Sequence, residues 1–155
     1  MVNPPKTRSC PHCGNVIEIY HQPKLTVDMV VFSSKGEVCL IERKNPPFGY
    51  ALPGGFVDYG ETLEAAAERE SEEETGLIVK CLKLVGVYSN PERDPRHHTV
   101  TAAYLAKSDE PLRAGDDAKS AFWADPLSLP KPLLFDHATI IADALTTFRE
   151  CRIVN

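Results

Sequence analysis

The segment from Asp58 to Gly76 constrains what this chain can fold into more than any other stretch. Its 19 residues contain eight acidic side chains and one basic side chain, a formal charge of −7, while the rest of the 155-residue chain sums to +2. Thr62 is a favourable helix N-cap and Gly76 is a favourable residue at a helix C-terminus, so we predict a helix at about 62–75. The acidity of the chain therefore belongs to one predicted helix.

One face of that helix combines apolar and acidic side chains. Glu70, Glu73 and Glu74 lie on the same helical stripe as the apolar Leu63 and Leu77. Carboxylates three and four positions apart repel one another unless a cation joins them. Ligands that are all oxygen atoms select a hard divalent cation, Mg²⁺ or Mn²⁺, which also binds substrate phosphates. The sequence therefore predicts that these three glutamates bind a divalent metal.

Two further residues extend the predicted metal site. Gly55, just ahead of the helix, allows the backbone to approach a ligand closely, and we expect its carbonyl oxygen to join the coordination. Arg69 lies four positions before Glu73 and offsets one of the negative charges. A divalent cation held here would polarise a phosphoryl group and activate water. The predicted activity is metal-assisted phosphoryl transfer to water.

Strand-like segments surround the acidic helix. Two β-branched or apolar runs, at 25–32 and 37–43, predict a hairpin, and later runs predict strands at 77–88, 99–106 and 120–123. A second helix is predicted from Asp136, because aspartate is a good cap and apolar residues follow at helical spacing. Strands mixed with two helices on separate faces indicate an α/β sandwich.

The N-terminal segment contains a pair of cysteines that could bind metal. Cys10 and Cys13 are three positions apart and are followed by a glycine turn, which is half of a zinc ribbon. A closed Zn²⁺ site needs four ligands, and the missing ones would come from His12, His21 or a second subunit. The alternative is an extension that binds no metal. We assign residues 1–24 to this extension and residues 25–155 to the catalytic domain.

Charge and hydropathy narrow the range of partners. No apolar run approaches the roughly 18 residues that cross a bilayer, so we expect no membrane partner. The first residues lack the apolar stretch of a secretory signal, which favours a cytoplasmic protein. The overall charge of −5 argues against nucleic acid. Its concentration in one segment fits a metal ion and a small phosphate-containing substrate instead.

The acidic segment resembles the Nudix box. That pattern is a glycine, five residues, a glutamate, seven residues, then Arg-Glu, an apolar residue, any residue, Glu-Glu, any residue, glycine and an apolar residue. Gly55, Glu61, the 69–77 stretch and their spacing match eight of its nine classes. The departure is Ser71, which stands where the pattern has an apolar side chain. We expect slightly looser helix packing at Ser71 and little loss of chemistry.

The resemblance covers about residues 25–148 and implies a Nudix α/β/α sandwich with a mixed sheet. It also implies hydrolysis of a nucleoside diphosphate linked to another group. Carried over by position, it assigns the metal ligands to Glu70, Glu73 and Glu74. Arg69 would orient those carboxylates, and Glu61 would support the loop that precedes the helix.

The general base and the oligomeric state follow less directly from the resemblance. In different Nudix enzymes the base is a glutamate of the box or an acid on a later loop. On that later loop the candidates are Asp116 and Asp117, and we favour Asp117. Many relatives pair through their N-terminal strands, so a homodimer is expected.

The loop from Gly86 to His98 resembles ADP-ribose pyrophosphatases, which carry a proline at a position similar to Pro91 and a similar Asp-Pro-Arg sequence. ADP-ribose, cleaved to AMP and ribose 5-phosphate, is therefore the expected substrate. The alternatives are a nucleoside triphosphate such as an oxidised dNTP, and a non-catalytic nucleotide sensor or zinc-ribbon interaction module.

Basic residues that could contact the phosphates or a ribose are Arg43, Arg93, Arg96 and His97 or His98. Adenine could stack on Phe48, Tyr50 or Tyr88. For each of these residues the competing interpretation is a solvated loop charge or a core aromatic.

Overall fold

A computed structural model describes residues 6–19, 22–115 and 118–153 of the chain. They form nine strands and two helices: β1 (Lys6–Ser9), β2 (Val16–Ile19), β3 (Lys24–Phe32), β4 (Val38–Arg43), β5 (Tyr50–Ala51), β6 (Gly54–Phe56), α1 (Leu63–Thr75), β7 (Lys83–Tyr88), β8 (Thr99–Lys107), β9 (Ala118–Ala124) and α2 (His137–Ile153).

Seven of these strands make one mixed sheet. Its main path runs β5-β4-β3-β8-β7, while β6 pairs with β3 and β9 pairs with β4. The central β3 and β8 are parallel over nine residue pairs, from Lys24 opposite Thr99 to Phe32 opposite Lys107. The other pairs are antiparallel. The continuous apolar sequence of β3 reflects its burial on both faces.

The two helices cover opposite faces of the sheet. Alternate residues of a strand point to opposite faces, and β3 divides its side chains accordingly. Val27, Met29 and Val31 belong to the core that contains Ala66 and Ala67 of α1. Val30 and Phe32 belong to the core on the other face, which contains four residues of α2: Ile140, Ile141, Ala144 and Phe148. The predicted α/β/α sandwich with a mixed sheet is confirmed.

The predicted boundaries of α1 are confirmed by its caps. Thr62 accepts a hydrogen bond from the Ala65 N–H at 3.2 Å through its side-chain oxygen. Gly76 ends the helix in the left-handed conformation, with φ of 72°, and donates its N–H to the Glu72 carbonyl. A glycine tolerates this conformation without steric cost.

Two regions differ from the prediction. The strand expected at 77–88 begins only at Lys83, because the N–H of Cys81 bonds to the side chain of Glu68 rather than to a neighbouring strand. Leu77 and Val79 are buried at alternate positions, as in a strand, although they lie before the first residue of β7. The N-terminal extension contains a hairpin, β1–β2, that its weak pattern did not predict. The domain boundary at residue 24 stays a prediction.

Neither of the helices in the described residues is long and apolar enough to cross a membrane.

Candidate active site

A cleft of about 310 Å³ opens beside β3 and β6. Its lining comes from β3, the end of β4, the segment around β6, the inner face of α1, and the loops that precede β8 and α2. The antiparallel pairing of β3 with β6, in which Val27 lies opposite Gly55, brings the loop ahead of α1 to the cleft. The site therefore lies where sheet, helix and loops meet.

Glu70 and Glu74 of α1 face this cleft, and each lies against a glycine of β6. The Gly54 N–H donates to Glu74 Oε2 at 2.9 Å. A Cβ atom added to Gly55 would fall within 2.6 Å of Glu70 Oε2, so any larger residue would collide with that carboxylate. The pair of glycines is needed for this close approach of backbone and carboxylates.

Arg69 joins the carboxylates of the loop and the helix. Its Nε and Nη2 atoms donate to the two oxygens of Glu61, both at 2.9 Å, in a bidentate pair. Its Nη1 atom donates to Glu70 at 2.8 Å and to Glu73 at 3.1 Å. Its Nη2 atom also reaches the Phe56 carbonyl at 3.1 Å. Arg69 thus links β6, the following loop and α1, which is the geometry that an orienting residue requires.

The charge state of Glu70 is perturbed by this environment. Burial raises its pKa, Arg69 opposes that effect, and repulsion from Glu73 and Glu61 raises the pKa further. The hydrogen bonds and charge of Arg69 outweigh partial burial at Glu61, whose pKa is lowered. A half-buried carboxylate with like-charged neighbours would be relieved by a nearby cation.

The donor atoms at this end of the cleft suit Mg²⁺ or Mn²⁺, because they are carboxylate and carbonyl oxygens. In the side-chain arrangement described for residues 6–19, 22–115 and 118–153, however, no group of three or more His, Cys, Asp or Glu side chains is set to hold an ion. At α1 the three glutamates accept hydrogen bonds from two donors, since Arg69 bonds Glu70 and Glu73 while the Gly54 N–H bonds Glu74.

Zinc binding by Cys10 and Cys13 finds no support. The turn between them is compact, with Gly14 donating its N–H to the Cys10 carbonyl at 2.9 Å. Both cysteines carry free thiols. His21, one of the residues expected to supply the missing ligands, lies outside the described residues, and His12 is exposed.

A second group of side chains in the cleft is cationic and aromatic. Arg96 makes a bidentate pair with the buried Asp94, with Nε–Oδ1 of 3.0 Å and Nη2–Oδ2 of 2.8 Å. The guanidinium groups of Arg96 and Arg43 lie 5.6 Å and 5.8 Å from the centroid of the Phe135 ring. Phe135 has a φ of 56°, an unusual conformation for a bulky residue. Such backbone conformations cluster at functional sites.

Arg93 lies in the cleft wall, where its guanidinium bonds other side chains of the protein. Its side chain is only 4% exposed. It donates from Nε and Nη2 to Asp136 and from Nη1 to Thr99, and its Nη2 lies 3.5 Å from Asp28. Four of the five N–H groups of Arg93 therefore have partners inside the protein, and its contact with substrate stays a prediction.

The remaining predicted residues lie elsewhere. Tyr50 packs edge-on against Phe122 at 5.6 Å and does not line the cleft. His97 is also absent from the lining but stacks on Phe56, which does line it, at 6.1 Å. Glu73 is on the exposed side of α1. Asp116 and Asp117, the candidate bases, lie outside the described residues.

Sequence reasoning gave no role in the cleft to four residues that line it, namely Asp28, Asp94, Phe135 and His137. Asp28 carried a usable signal, because a single acid within the apolar run of β3 needs a buried partner. The side chains that partner it are distant in sequence, so no local pattern identifies them.

Comparison with known proteins agrees with this geometry. The sequence model of the NUDIX domain family matches residues 22–144. The chain is 48% identical over 128 residues to an ADP-ribose pyrophosphatase of Methanocaldococcus jannaschii, covering 81% of this chain and 75% of that protein. It is 42% identical over 94 residues to the ADPR responsive transcriptional repressor NtrR of Acinetobacter baylyi, covering 56% of this chain but only 38% of that protein.

A solved structure is similar over most of the chain. The NUDIX domain of Shewanella oneidensis NrtR, crystallised with ADP ribose, superposes with a TM-score of 0.75 and 30% identity. The match covers 83% of this chain and 90% of that one.

Proposed function

The chain belongs to the Nudix family, and on that premise we propose that it hydrolyses ADP-ribose to AMP and ribose 5-phosphate. The relative from Methanocaldococcus jannaschii carries the name ADP-ribose pyrophosphatase and covers most of the chain at 48% identity. The structurally similar NUDIX domain was crystallised with ADP ribose. Nudix hydrolases use Mg²⁺ or Mn²⁺, so a divalent cation is the cofactor.

One observation carries the proposal. The same cleft contains the Glu70 carboxylate packed against the Gly55 backbone and, elsewhere in its wall, the Arg43–Phe135–Arg96 group. The carboxylate at Gly55 suits a metal-bound pyrophosphate. The Arg43–Phe135–Arg96 group offers guanidinium donors to phosphate or ribose oxygens. A nucleoside diphosphate linked to a sugar contains both the pyrophosphate and the ribose oxygens that these two groups would bind.

The metal ligands in this proposal are Glu70, Glu73, Glu74 and the Gly55 carbonyl. When bound, the cation would lower the pKa of the attacking water and stabilise negative charge that develops on the phosphorus oxygens. Arg69 holds Glu70 through its bidentate link to Glu61. Arg69 also bonds Oε2 of Glu73, and that carboxylate has a second oxygen to offer to a metal.

Proton removal from the attacking water is assigned to Asp117, with a glutamate of the box as the alternative base. On the substrate side we assign contacts to Arg43 and Arg96, and we add Phe135 as the aromatic surface in place of Tyr50. Arg96 is positioned for this role because Asp94 fixes its guanidinium. His97 would act indirectly, through Phe56.

Product analysis tests the proposal. Purified protein with Mg²⁺ is given ADP-ribose, NADH, nucleotide sugars and dNTPs, and the products are identified by chromatography. We expect AMP and ribose 5-phosphate from ADP-ribose, with the highest kcat/KM of the panel. Higher turnover of a dNTP, with release of NMP and pyrophosphate, would overturn the substrate assignment.

Two adjacent glutamates provide a matched pair of variants. Glu73→Gln removes a proposed ligand, whereas Glu72→Gln changes an exposed neighbour outside the predicted acidic stripe. We expect Glu73→Gln to lower kcat/KM about 100-fold or more, and Glu72→Gln to leave it within about twofold. Full activity of Glu73→Gln would contradict the ligand assignment.

A nucleotide sensor is a second candidate, favoured by the similarity to the ADPR responsive repressor of Acinetobacter baylyi. The two functions separate in one experiment, calorimetric titration with ADP-ribose followed by product analysis of the same sample. Binding without products would support the sensor. The homodimer, the cytoplasmic location and the hypothesis of Zn²⁺ at Cys10 and Cys13 stay predictions, which gel filtration, fractionation and metal analysis would test.

A further inference from the structure

A buried cluster of four ionisable residues from distant parts of the chain lies at the wall of the cleft, and three of the four line it. Asp28 comes from β3 and Arg93 from the loop before β8, while Asp136 immediately precedes α2 and His137 is its first residue. Asp28, Arg93 and His137 are all less than 9% exposed. Such a set costs desolvation energy unless every charge has a partner, so its contacts are informative.

One arm of the cluster runs through His137 to the backbone ahead of β6. The Leu52 N–H donates to His137 Nδ1 at 2.9 Å, and His137 Nε2 lies 3.3 Å from Asp28 Oδ1. An imidazole nitrogen that accepts a hydrogen bond carries no proton, so the proton of a neutral His137 is on Nε2 and points at Asp28. Both ring nitrogens are occupied, and the side chain is 3% exposed. His137 is therefore a structural link rather than an acid or base for the reaction.

That link ends two residues before the pair of glycines at the metal side of the cleft. Leu52 and Pro53 lead directly into Gly54 and Gly55, and the Pro53 carbonyl accepts a hydrogen bond from the Met29 N–H at 2.8 Å. A Cβ at Gly54 would also fall within 3.0 Å of both the side chain and the backbone of Asp28. The position of the Gly55 carbonyl thus depends on Asp28 and its contacts.

The other arm runs through Arg93 to the loop that carries Arg96. Arg93 is tied by a bidentate bond to Asp136 and by a 3.0 Å bond to Thr99. It lies three residues before Arg96 in the same loop. Asp136 directly follows Phe135, whose ring contacts the Arg96 guanidinium. Fixing Arg93 and Asp136 therefore fixes both partners of that contact.

Asp28 belongs to both arms. Its Oδ2 atom accepts from the Thr101 hydroxyl at 2.7 Å and lies 3.5 Å from Arg93 Nη2, while its Oδ1 atom faces His137. Although burial would raise its pKa, the partners His137, Thr101 and Arg93 together keep that pKa below its usual range. The carboxylate is thus ionised and fully engaged.

We propose that Asp28, Arg93, Asp136 and His137 form a positioning unit with two separable arms, which rests on the proposed hydrolase function. The His137 arm sets the backbone that offers the Gly55 carbonyl to the metal. The Arg93 arm sets the loop that offers Arg96 to the substrate. None of the four is a catalytic residue, because each acts through another group.

The two arms predict different kinetic effects. His137→Gln keeps a donor near Asp28 but loses the acceptor for Leu52, whereas His137→Asn keeps an acceptor near the Nδ1 position. Partners of this kind are worth about 10- to 100-fold in metal affinity or activity. We expect His137→Gln to weaken Mn²⁺ binding about 10-fold or more and to lower kcat, with KM for ADP-ribose within about threefold. His137→Asn should recover most of the Mn²⁺ affinity.

Arg93→Lys tests the other arm. It keeps the positive charge between Asp28 and Asp136 but loses the bidentate geometry. We expect KM for ADP-ribose to rise about 10-fold while Mn²⁺ affinity stays within about twofold of the wild type. Mn²⁺ binding is followed by electron paramagnetic resonance without substrate, so this readout does not depend on turnover.

Three outcomes would overturn the proposal. Two of them concern Mn²⁺ binding: no change in His137→Gln, or equal binding by the Gln and Asn variants. The third is that His137→Gln and Arg93→Lys change Mn²⁺ affinity and KM for ADP-ribose in the same way. If a variant does not fold, the wild type alone still decides, because long-range ¹H–¹⁵N NMR reports the tautomer of His137. A proton on Nδ1 would exclude the link to Leu52. Lack of ADP-ribose turnover by the wild type would instead refute the proposed function and leave the Mn²⁺ and NMR results interpretable.

Discussion

Two groups of carboxylates face the same cleft, and each is organised around one arginine. In the box cluster, Arg69 bonds Glu61, Glu70 and Glu73, and its side chain is 28% exposed. In the inner cluster, Arg93 bonds Asp136 and approaches Asp28, and its side chain is 4% exposed. The two clusters use the same chemical groups at different depths in the protein.

The difference in depth separates a reactive site from a rigid support. Three carboxylates share one arginine in the box cluster, which leaves negative charge for a cation to neutralise. In the inner cluster the hydroxyls of Thr99 and Thr101 and the imidazole of His137 supply the remaining partners. A buried cluster must satisfy its groups internally, whereas a partly exposed one can leave them for a ligand.

The largest effect should come from the box cluster and concern activity. Glu70→Gln removes a proposed metal ligand, and we expect kcat/KM for ADP-ribose to fall about 100- to 1000-fold. The free energy of unfolding should change by less than about 1 kcal/mol, since burial and repulsion already disfavour the charge of Glu70. Steady-state kinetics and urea unfolding measure the two quantities. Large destabilisation with intact activity of the folded fraction would reverse the roles assigned to the clusters.

The next effect should come from the inner cluster and concern stability. Arg93→Met leaves Asp28 and Asp136 without their cation, and loss of one partner from a buried pair costs about 3–5 kcal/mol. The matched Arg69→Met variant breaks partly exposed pairs and should cost about 1 kcal/mol or less. Urea unfolding of both variants at pH 7 gives the comparison. Equal losses of unfolding free energy in the two variants would show that burial does not distinguish the contributions of Arg93 and Arg69 to stability.

A pH series provides a third test, because the pKa of Asp28 is lowered in the folded state. Such a group stabilises the fold above its unfolded pKa, and that contribution is lost as pH falls through the folded pKa. We therefore expect the stability advantage of wild type over Asp28→Asn to be full at pH 7 and to shrink below about pH 4. The ionisable groups in contact with Asp28 are the guanidinium of Arg93 and the imidazole of His137. An advantage that is constant down to pH 3 would contradict the ionised state of Asp28.

The contrast between the clusters also explains how far the sequence alone could lead. The ends of α1 and the contact of Arg69 with Glu73 were predictable, because a local pattern of caps and spacing specifies them. Burial of β3 on both faces followed from its apolar run, and the sandwich followed from the order of strands and helices. Interactions between residues of one segment can be predicted from the sequence pattern of that segment.

No local sequence pattern predicts the contacts of the inner cluster. Arg93 and Asp136 are 43 positions apart, and Asp28 and Thr101 are 73 positions apart. Only the parallel pairing of β3 with β8 brings Asp28 close to Thr101. The residue opposite Asp28 is Ala103, and Thr101 lies two positions before it on β8. Arg93 therefore looked like a solvated loop residue or a phosphate ligand. Phe135 was given no role in binding, because no sequence pattern indicates its left-handed backbone conformation.

The smallest effect should come from Ser71, on the buried side of α1. Among buried side chains in the described residues, its hydroxyl oxygen is the one polar atom without a hydrogen-bond partner. The inner cluster, by contrast, pairs its buried donors and acceptors. An unsatisfied buried hydroxyl costs about 1–3 kcal/mol, part of which is regained when alanine replaces it. Ser71 also occupies the position where the Nudix box has an apolar residue.

We therefore expect Ser71→Ala to stabilise the protein by about 1 kcal/mol and to leave kcat/KM for ADP-ribose within about twofold. Urea unfolding and steady-state kinetics check both parts. Thr75, whose hydroxyl donates to the Ser71 carbonyl at 2.6 Å, offers a control, because Thr75→Val removes a satisfied buried hydroxyl and should destabilise. If Ser71→Ala also destabilises, the hydroxyl has a partner after all, and the acidic helix is as fully satisfied on its buried side as the inner cluster.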